Sequence, residues 1–205
     1  MHRLDLQRLQ ETRRRTLEVC RPLSQVQMDF SPSPGRWSVG EILDHLLLSE
    51  GIYRREMQQL IRLARAGQPA RIRRSFGEID VGVAFIPKVM LPFLELPLTV
   101  ANIFMPRETR EWLIRNRTIP AQNPVIATPR KSRPAPQMIR ELQDALDSMV
   151  SLVEENADLD YGQMLLSHPA LGDNDFCQII RLIWSHEERH QEQIAEVMAS
   201  PGFPA

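Results

Sequence analysis

Two histidines, His186 and His190, stand four residues apart in the stretch Ile183-Trp184-Ser185-His186-Glu187-Glu188-Arg189-His190-Gln191-Glu192-Gln193-Ile194. On a helix, four residues turn through about 400°, so the two imidazoles project roughly 40° apart, one turn up. Both rings can then reach a single metal ion. Ile183 and Ile194 bracket the pair on one apolar stripe, so both rings are read as facing inward. Burying them takes four ring nitrogens out of water, at about 1–3 kcal/mol for each one left unsatisfied. A shared cation satisfies two at once. A pair of core histidines bonded to backbone carbonyls is the competing reading, and the pair alone leaves both open.

The string His186-Glu187-Glu188-Arg189-His190 also matches H-E-x-x-H, in which two histidines hold zinc and the glutamate is the general base of a protease. That chemistry needs a third ligand, usually downstream, and a sheet to align the peptide. No histidine follows His190 and no strand is read before it, so a metalloprotease is set aside. Glu187 is read as an exposed surface carboxylate, with a place beside the ligands or a role as base as the alternative.

Four amphipathic helices are expected to position these residues, at about 3–20, 39–66, 137–156 and 174–199. The first carries Leu6, Leu9, Leu17 and Cys20, with Arg13-Arg14-Arg15 between them. The second opens with Ser38 and Glu41 at capping-box spacing and with Trp37 and Ile42 at the positions of a hydrophobic staple. Its stripe runs from Val39 through Ile42, Leu46, Tyr53, Met57 and Leu60 to Leu63. His45 lies at the edge of that stripe and is read as pointing inward; Ser49, one turn on, leaves room beside it. Pro136 suits the first turn of the third helix, whose stripe is Ile139, Leu142, Leu146, Met149 and Val153. Asp173 or Asn174 is expected to cap the fourth. No clear strand is read, so the fold class is an all-α bundle.

Residues 67–135 form a long insertion between the second and third helices. Arg71, Arg73 and Arg74 read as a solvated basic patch. The run from Ile79 to Met105 is apolar but is broken by Asp80, Lys88, Glu95 and three prolines, so it is not a transmembrane span. It reads as short helices covering a bundle face, or as a dimer surface. The prolines from Pro120 to Pro136 mark a loop able to form a lid or pocket wall.

A net charge of -1 gives no reason to expect nucleic acid or a membrane as partner. Cys20 and Cys177 form no C-x-x-C pair, which argues against a disulfide framework or a thiolate zinc site. Met1 to Leu6 has no apolar core of a signal peptide, so a cytoplasmic, reduced protein is expected.

The string Trp37-Ser38-Val39-Gly40-Glu41-Ile42-Leu43-Asp44-His45-Leu46 resembles the W-S-x-x-E-x-x-x-H-L opening of the second helix in DinB-like proteins. His168-Pro169-x-x-Gly172, then His186-x-x-x-His190-x-x-Gln193-Ile194, resembles that family's connector and last helix. The two motifs lie far apart and come in the family's order. The resemblance covers about 1–66 and 136–199 and does not account for 67–135. It implies one DinB-like domain over 1–205, a four-helix bundle with one divalent metal held by His45, His186 and His190. Three neutral imidazoles suit zinc, nickel or iron(II), and three protein ligands leave positions open for water or substrate.

By the same resemblance the expected activity is a metal-dependent transferase of the thiol S-transferase type, or a hydrolase, with a small-molecule thiol and an electrophile as substrates. The alternative is a non-enzymatic protein with a structural metal, or one acting through its apolar insertion. A homodimer is expected from the 79–105 segment. His168 is read as tying a tight turn, Glu41 as a cap, and Tyr53 as core or pocket wall.

Overall fold

The computed structural model describes residues 2–75, 82–83, 109, 121–122, 127–168 and 172–205. The chain is mostly helical. Four long helices, α1 (His2–Cys20), α3 (Val39–Arg65), α4 (Ala135–Glu154) and α5 (Phe176–Met198), are joined by a short helix α2 (Gln25–Asp29) and small strands. Helix α1 packs on α5 and α4, and α3 packs on α4 and α5, closing a ring of four.

The interior is apolar at both ends. At one end Leu6 and Leu9 of α1 meet Met57 and Leu60 of α3, Met149 and Val153 of α4, and Phe176 and Ile180 of α5. At the other, Leu17 and Cys20 meet Val39 and Ile42, Met138 and Leu142, and Ile194 and Val197. The N-terminal halves of α1 and α5 therefore share an end with the C-terminal halves of α3 and α4. Helices α3 and α4 run the same way, so the chain between them must return along the bundle. Helix α3 alone has 27 residues, about 40 Å at 1.5 Å per residue. Such a return needs at least about 12 extended residues, which the connection over 67–135 exceeds. Within it, Gly82–Val83 pair with Ala121–Gln122 as strands β2 and β3. The short helices expected at 79–105 otherwise lie outside the described residues.

The connector before the last helix is not plain loop. Strands β4 (Leu165–His168) and β5 (Gly172–Asp175) form an antiparallel hairpin, and β1 (Arg71–Arg73) pairs with β4 in parallel. The pairing is too short to show as a strand pattern in the sequence. It moves the start of the last helix: Asn174 is paired with Leu166, and the cap falls on Asp175 rather than on Asp173 or Asn174. Arg74, read as part of a free basic patch, is paired with Glu56 at 2.9 Å. Among the described residues, no helix is long and apolar enough to cross a membrane.

Candidate metal centre

The two helices that carry the candidate ligands both begin with complete capping boxes. Ser38 Oγ accepts from Glu41 N at 3.1 Å and Glu41 Oε2 accepts from Ser38 N at 2.9 Å. Asp175 and Gln178 repeat the exchange at 2.8 Å each way. Such reciprocal bonds satisfy two orphan donors and fix where the helix starts. They thereby fix which face His45 presents on α3 and which face His186 and His190 present on α5.

Those faces meet. The Nε2 atoms of His45 and His186 are 3.3 Å apart, and those of His190 and His186 are 3.1 Å apart. One ligand nitrogen from each of the three lies within 4.8 Å of the others. The outer nitrogens settle the tautomers. His45 Nδ1 donates to the Ala127 carbonyl at 2.8 Å, and His190 Nδ1 donates to Gln193 Oε1 at 2.9 Å. Both residues therefore turn a lone pair, not a proton, toward His186. One N–H from His186 satisfies at most one of them. Two nitrogens bound at about 2.0–2.1 Å to one ion stand about 2.8–3.4 Å apart at octahedral or tetrahedral angles, a range that includes both spacings found here. Burial holds the His45 imidazole below its ordinary pKa, with the Arg189 charge adding to the effect. Burial, then the other two imidazoles, hold His186 well below. The His45 and His186 rings are thereby held toward the neutral form, the state a ligand needs. The residues fit a divalent cation.

Trp37 forms a wall of the centre. Its ring lies 4.9 Å from the His45 ring and stacks on His190 at 6.3 Å. Ser49 Oγ lies 3.4 Å from His45 Nε2.

The sequence model of the DinB superfamily matches residues 8–194. The chain belongs to the DinB superfamily. The match covers both His-bearing helices and also the 67–135 segment that the two motifs leave out. No curated protein and no solved structure matches the chain.

In this DinB-superfamily chain one charged residue contradicts its sequence reading. Glu187 is not exposed: it is 1% accessible and accepts from Arg13 Nε at 2.9 Å and from Thr16 Oγ1 at 2.6 Å. A glutamate locked in an ion pair is no general base, which removes the remaining support for the H-E-x-x-H reading. Arg13 itself is 1% accessible, bonded also to Glu50 Oε2 and to the Leu142 carbonyl, both at 2.6 Å. Its place was legible: Leu6, Leu9, Arg13, Leu17 and Cys20 follow helical spacing, with the arginine at the centre of the stripe.

Glu41 caps α3, as read. Tyr53 packs against the core and also borders a small cavity beside His186. His168 sits in β4 opposite Gly172. Asp44 carries a role that the sequence reading missed. It is fully buried and takes bonds from Arg130 N at 2.7 Å, Arg130 Nη2 at 2.8 Å and Arg133 Nη1 at 2.7 Å. Burial alone would raise its pKa, but those bonds hold it below the usual carboxylate value. Asp44 thus pins the segment that carries Ala127, the acceptor for His45. No local pattern announces a contact between residues 86 positions apart.

Proposed function

We propose that this chain binds one divalent metal ion, zinc, nickel or iron(II), through Nε2 of His45, His186 and His190, and that it is a metal-dependent enzyme of the thiol S-transferase type or a hydrolase. The observation that carries metal binding is the convergence of three Nε2 atoms, two of them shown to be lone pairs by the bonds at Nδ1. A bound divalent ion acidifies a thiol or water and so supplies a nucleophile near neutral pH. The chain's residues do the rest. Ala127 and Gln193 orient two rings. Trp37 covers one side and keeps it apolar. Three protein ligands leave coordination positions for substrate. The transferase assignment rests on the resemblance to DinB-like proteins.

Metal content of the purified protein, measured by mass spectrometry beside His45→Ala and His190→Ala, tests this reading. About one metal per chain is expected in the parent and none in either variant, with helical circular dichroism retained. A parent that takes up no metal after reconstitution with zinc, nickel and iron(II) overturns it. Metal-loaded protein should then conjugate a low-molecular-weight thiol to an electrophile. Failure over a broad panel leaves the metal site standing and removes the transferase. We also propose a homodimer built on the apolar 79–105 run; a monomeric mass by light scattering at high concentration rules it out.

A further inference from the structure

The charges of the buried cluster beside the imidazoles do not cancel. Arg13 brings one positive charge, and Glu50 and Glu187, accessible to 3% and 1%, bring two negative ones. Glu187 uses both oxygens on Arg13. Glu50 uses one: Oε2 accepts from Arg13, while Oε1 is buried without a hydrogen-bond partner. An orphaned carboxylate oxygen is among the most expensive groups to bury.

Next to it is a cavity with about 10 Å³ open to the centre of a water molecule, bordered by Ser49, Glu50, Tyr53, His186 and Glu187. That is the room of one water, which needs two or more polar partners. His186 borders the same space. It meets the other two imidazoles through Nε2, so as a ligand its proton is on Nδ1. The Nδ1 atoms of His45 and His190 each have an acceptor; among the described residues, no protein atom accepts from that of His186.

We propose that Glu50 is a positioning residue for the metal centre: one water in this cavity accepts from His186 Nδ1 and donates to Glu50 Oε1, fixing the ring with its Nε2 lone pair on the metal. This rests on the metal-binding reading above. The bridge gives His186 the outer acceptor that metal-bound imidazoles ordinarily have. It satisfies the orphaned oxygen. It also places the cluster's excess negative charge beside a dication, where the nearby Arg189 charge has the opposite effect. Asp44, the other buried carboxylate close to the centre, is already neutralised by two arginines.

The test is titration of metal-free protein with cobalt(II) and zinc, comparing the parent with Glu50→Gln. The amide keeps an oxygen for Arg13 but loses the charge and weakens the acceptor for the water. The variant should bind about 10- to 100-fold more weakly, with an altered cobalt visible spectrum, while the metal-free protein melts no lower than the parent. A purely structural ion pair predicts the reverse, a lowered melting temperature and unchanged affinity. Affinity within twofold of the parent overturns the role of Glu50 and leaves the metal site intact. A parent that binds neither metal overturns both. Should the variant fail to fold, cobalt-loaded parent decides by proton NMR. Three metal-shifted imidazole N–H signals protected from exchange are expected, and only two, with that of His186 lost to rapid exchange with solvent, overturn the bridge.

Discussion

The ion cluster Arg13–Glu50–Glu187 and the three-imidazole centre interrupt the same apolar stripes, and His186 and Glu187 are neighbours in sequence. Their chemistry diverges. The guanidinium aims Nε, Nη1 and Nη2 at Glu187, the Leu142 carbonyl and Glu50, so positive and negative partners are supplied by the chain itself. At the imidazoles, two lone pairs face the third ring. One island is closed by its own residues except for a single carboxylate oxygen; the other gathers three imidazoles whose ligand atoms could hold a metal ion. The difference shows what separates a structural polar layer from a binding site inside a bundle: not burial, which both share, but whether donors and acceptors balance.

The largest effect expected from breaking this contrast is at Arg13. Replacing it by methionine leaves two carboxylates buried among apolar residues with no counter-charge. Breaking a buried pair from one side typically costs about 3–5 kcal/mol. Arg13→Met should lose that much stability in urea denaturation of the metal-free protein. The triple variant Arg13→Met, Glu50→Leu, Glu187→Leu should recover most of it, since an apolar layer of similar volume is often as stable as the ions it replaces. A triple variant as unstable as the single one shows that the cluster stabilises the bundle in its own right.

How far each island was legible follows from the same distinction. His186 and His190 drew attention because i,i+4 imidazoles on an apolar stripe are hard to satisfy, and His45 joined them through the resemblance of Trp37-Ser38 to His45-Leu46 to the second helix of DinB-like proteins. The four helices were legible from their stripes of aliphatic residues and from Ser38 and Pro136 at two of their starts, whereas the cap of the last is expected at Asp173 or Asn174 and falls on Asp175. The ion cluster was hidden by its own charge. In the sequence, Arg13 stands in a run of three arginines with no place assigned to it, and Glu187 reads as an exposed acid, although both are buried. Glu50, between Leu46 and Tyr53, is buried as well. A charged residue at a core position on each of three helices is a signal that periodicity alone carries. The hairpin Leu165–Asp175 and the anchoring of Arg130 on Asp44 were not legible at all, since they depend on chain segments that only the bundle brings together.

Asp44 offers a smaller contrast with Glu187. Each is a buried acid next to a candidate ligand, and each is paired with arginine. But Arg130 is largely exposed, and Arg133 has a second acid in Glu141 at 2.8 Å. Removing the charge in Asp44→Asn therefore leaves no cation stranded in the core. The expected loss is about 1–2 kcal/mol, in the range for hydrogen bonds to charged groups, well below that of Arg13→Met. Its sharper effect falls on the metal centre. With Arg130 and Arg133 released, the Ala127 carbonyl is held less firmly against His45 Nδ1, so zinc affinity should drop several-fold. An unchanged affinity in the titration of metal-free protein with zinc shows that Ala127 is held from elsewhere.

The smallest effect concerns His168, an imidazole outside the cluster against which the three clustered ones can be compared. Burial pushes it down to about 4, from an ordinary value of about 6.5 in the unfolded chain. The unfolded chain thus takes up a proton that the folded chain refuses. Stability is fully present above about pH 7 and declines as the pH falls from about 6.5 toward 4. Between pH 7 and pH 5.5 the share due to His168 is about 1 kcal/mol. Denaturation at both pH values, with chelator present throughout, should show a smaller loss in His168→Gln than in the parent. The clustered histidines stay the same in both proteins, so whatever they contribute cancels in the difference. Equal losses assign the acid sensitivity to the three-imidazole centre and leave His168 as a hairpin residue that protonates as readily folded as unfolded.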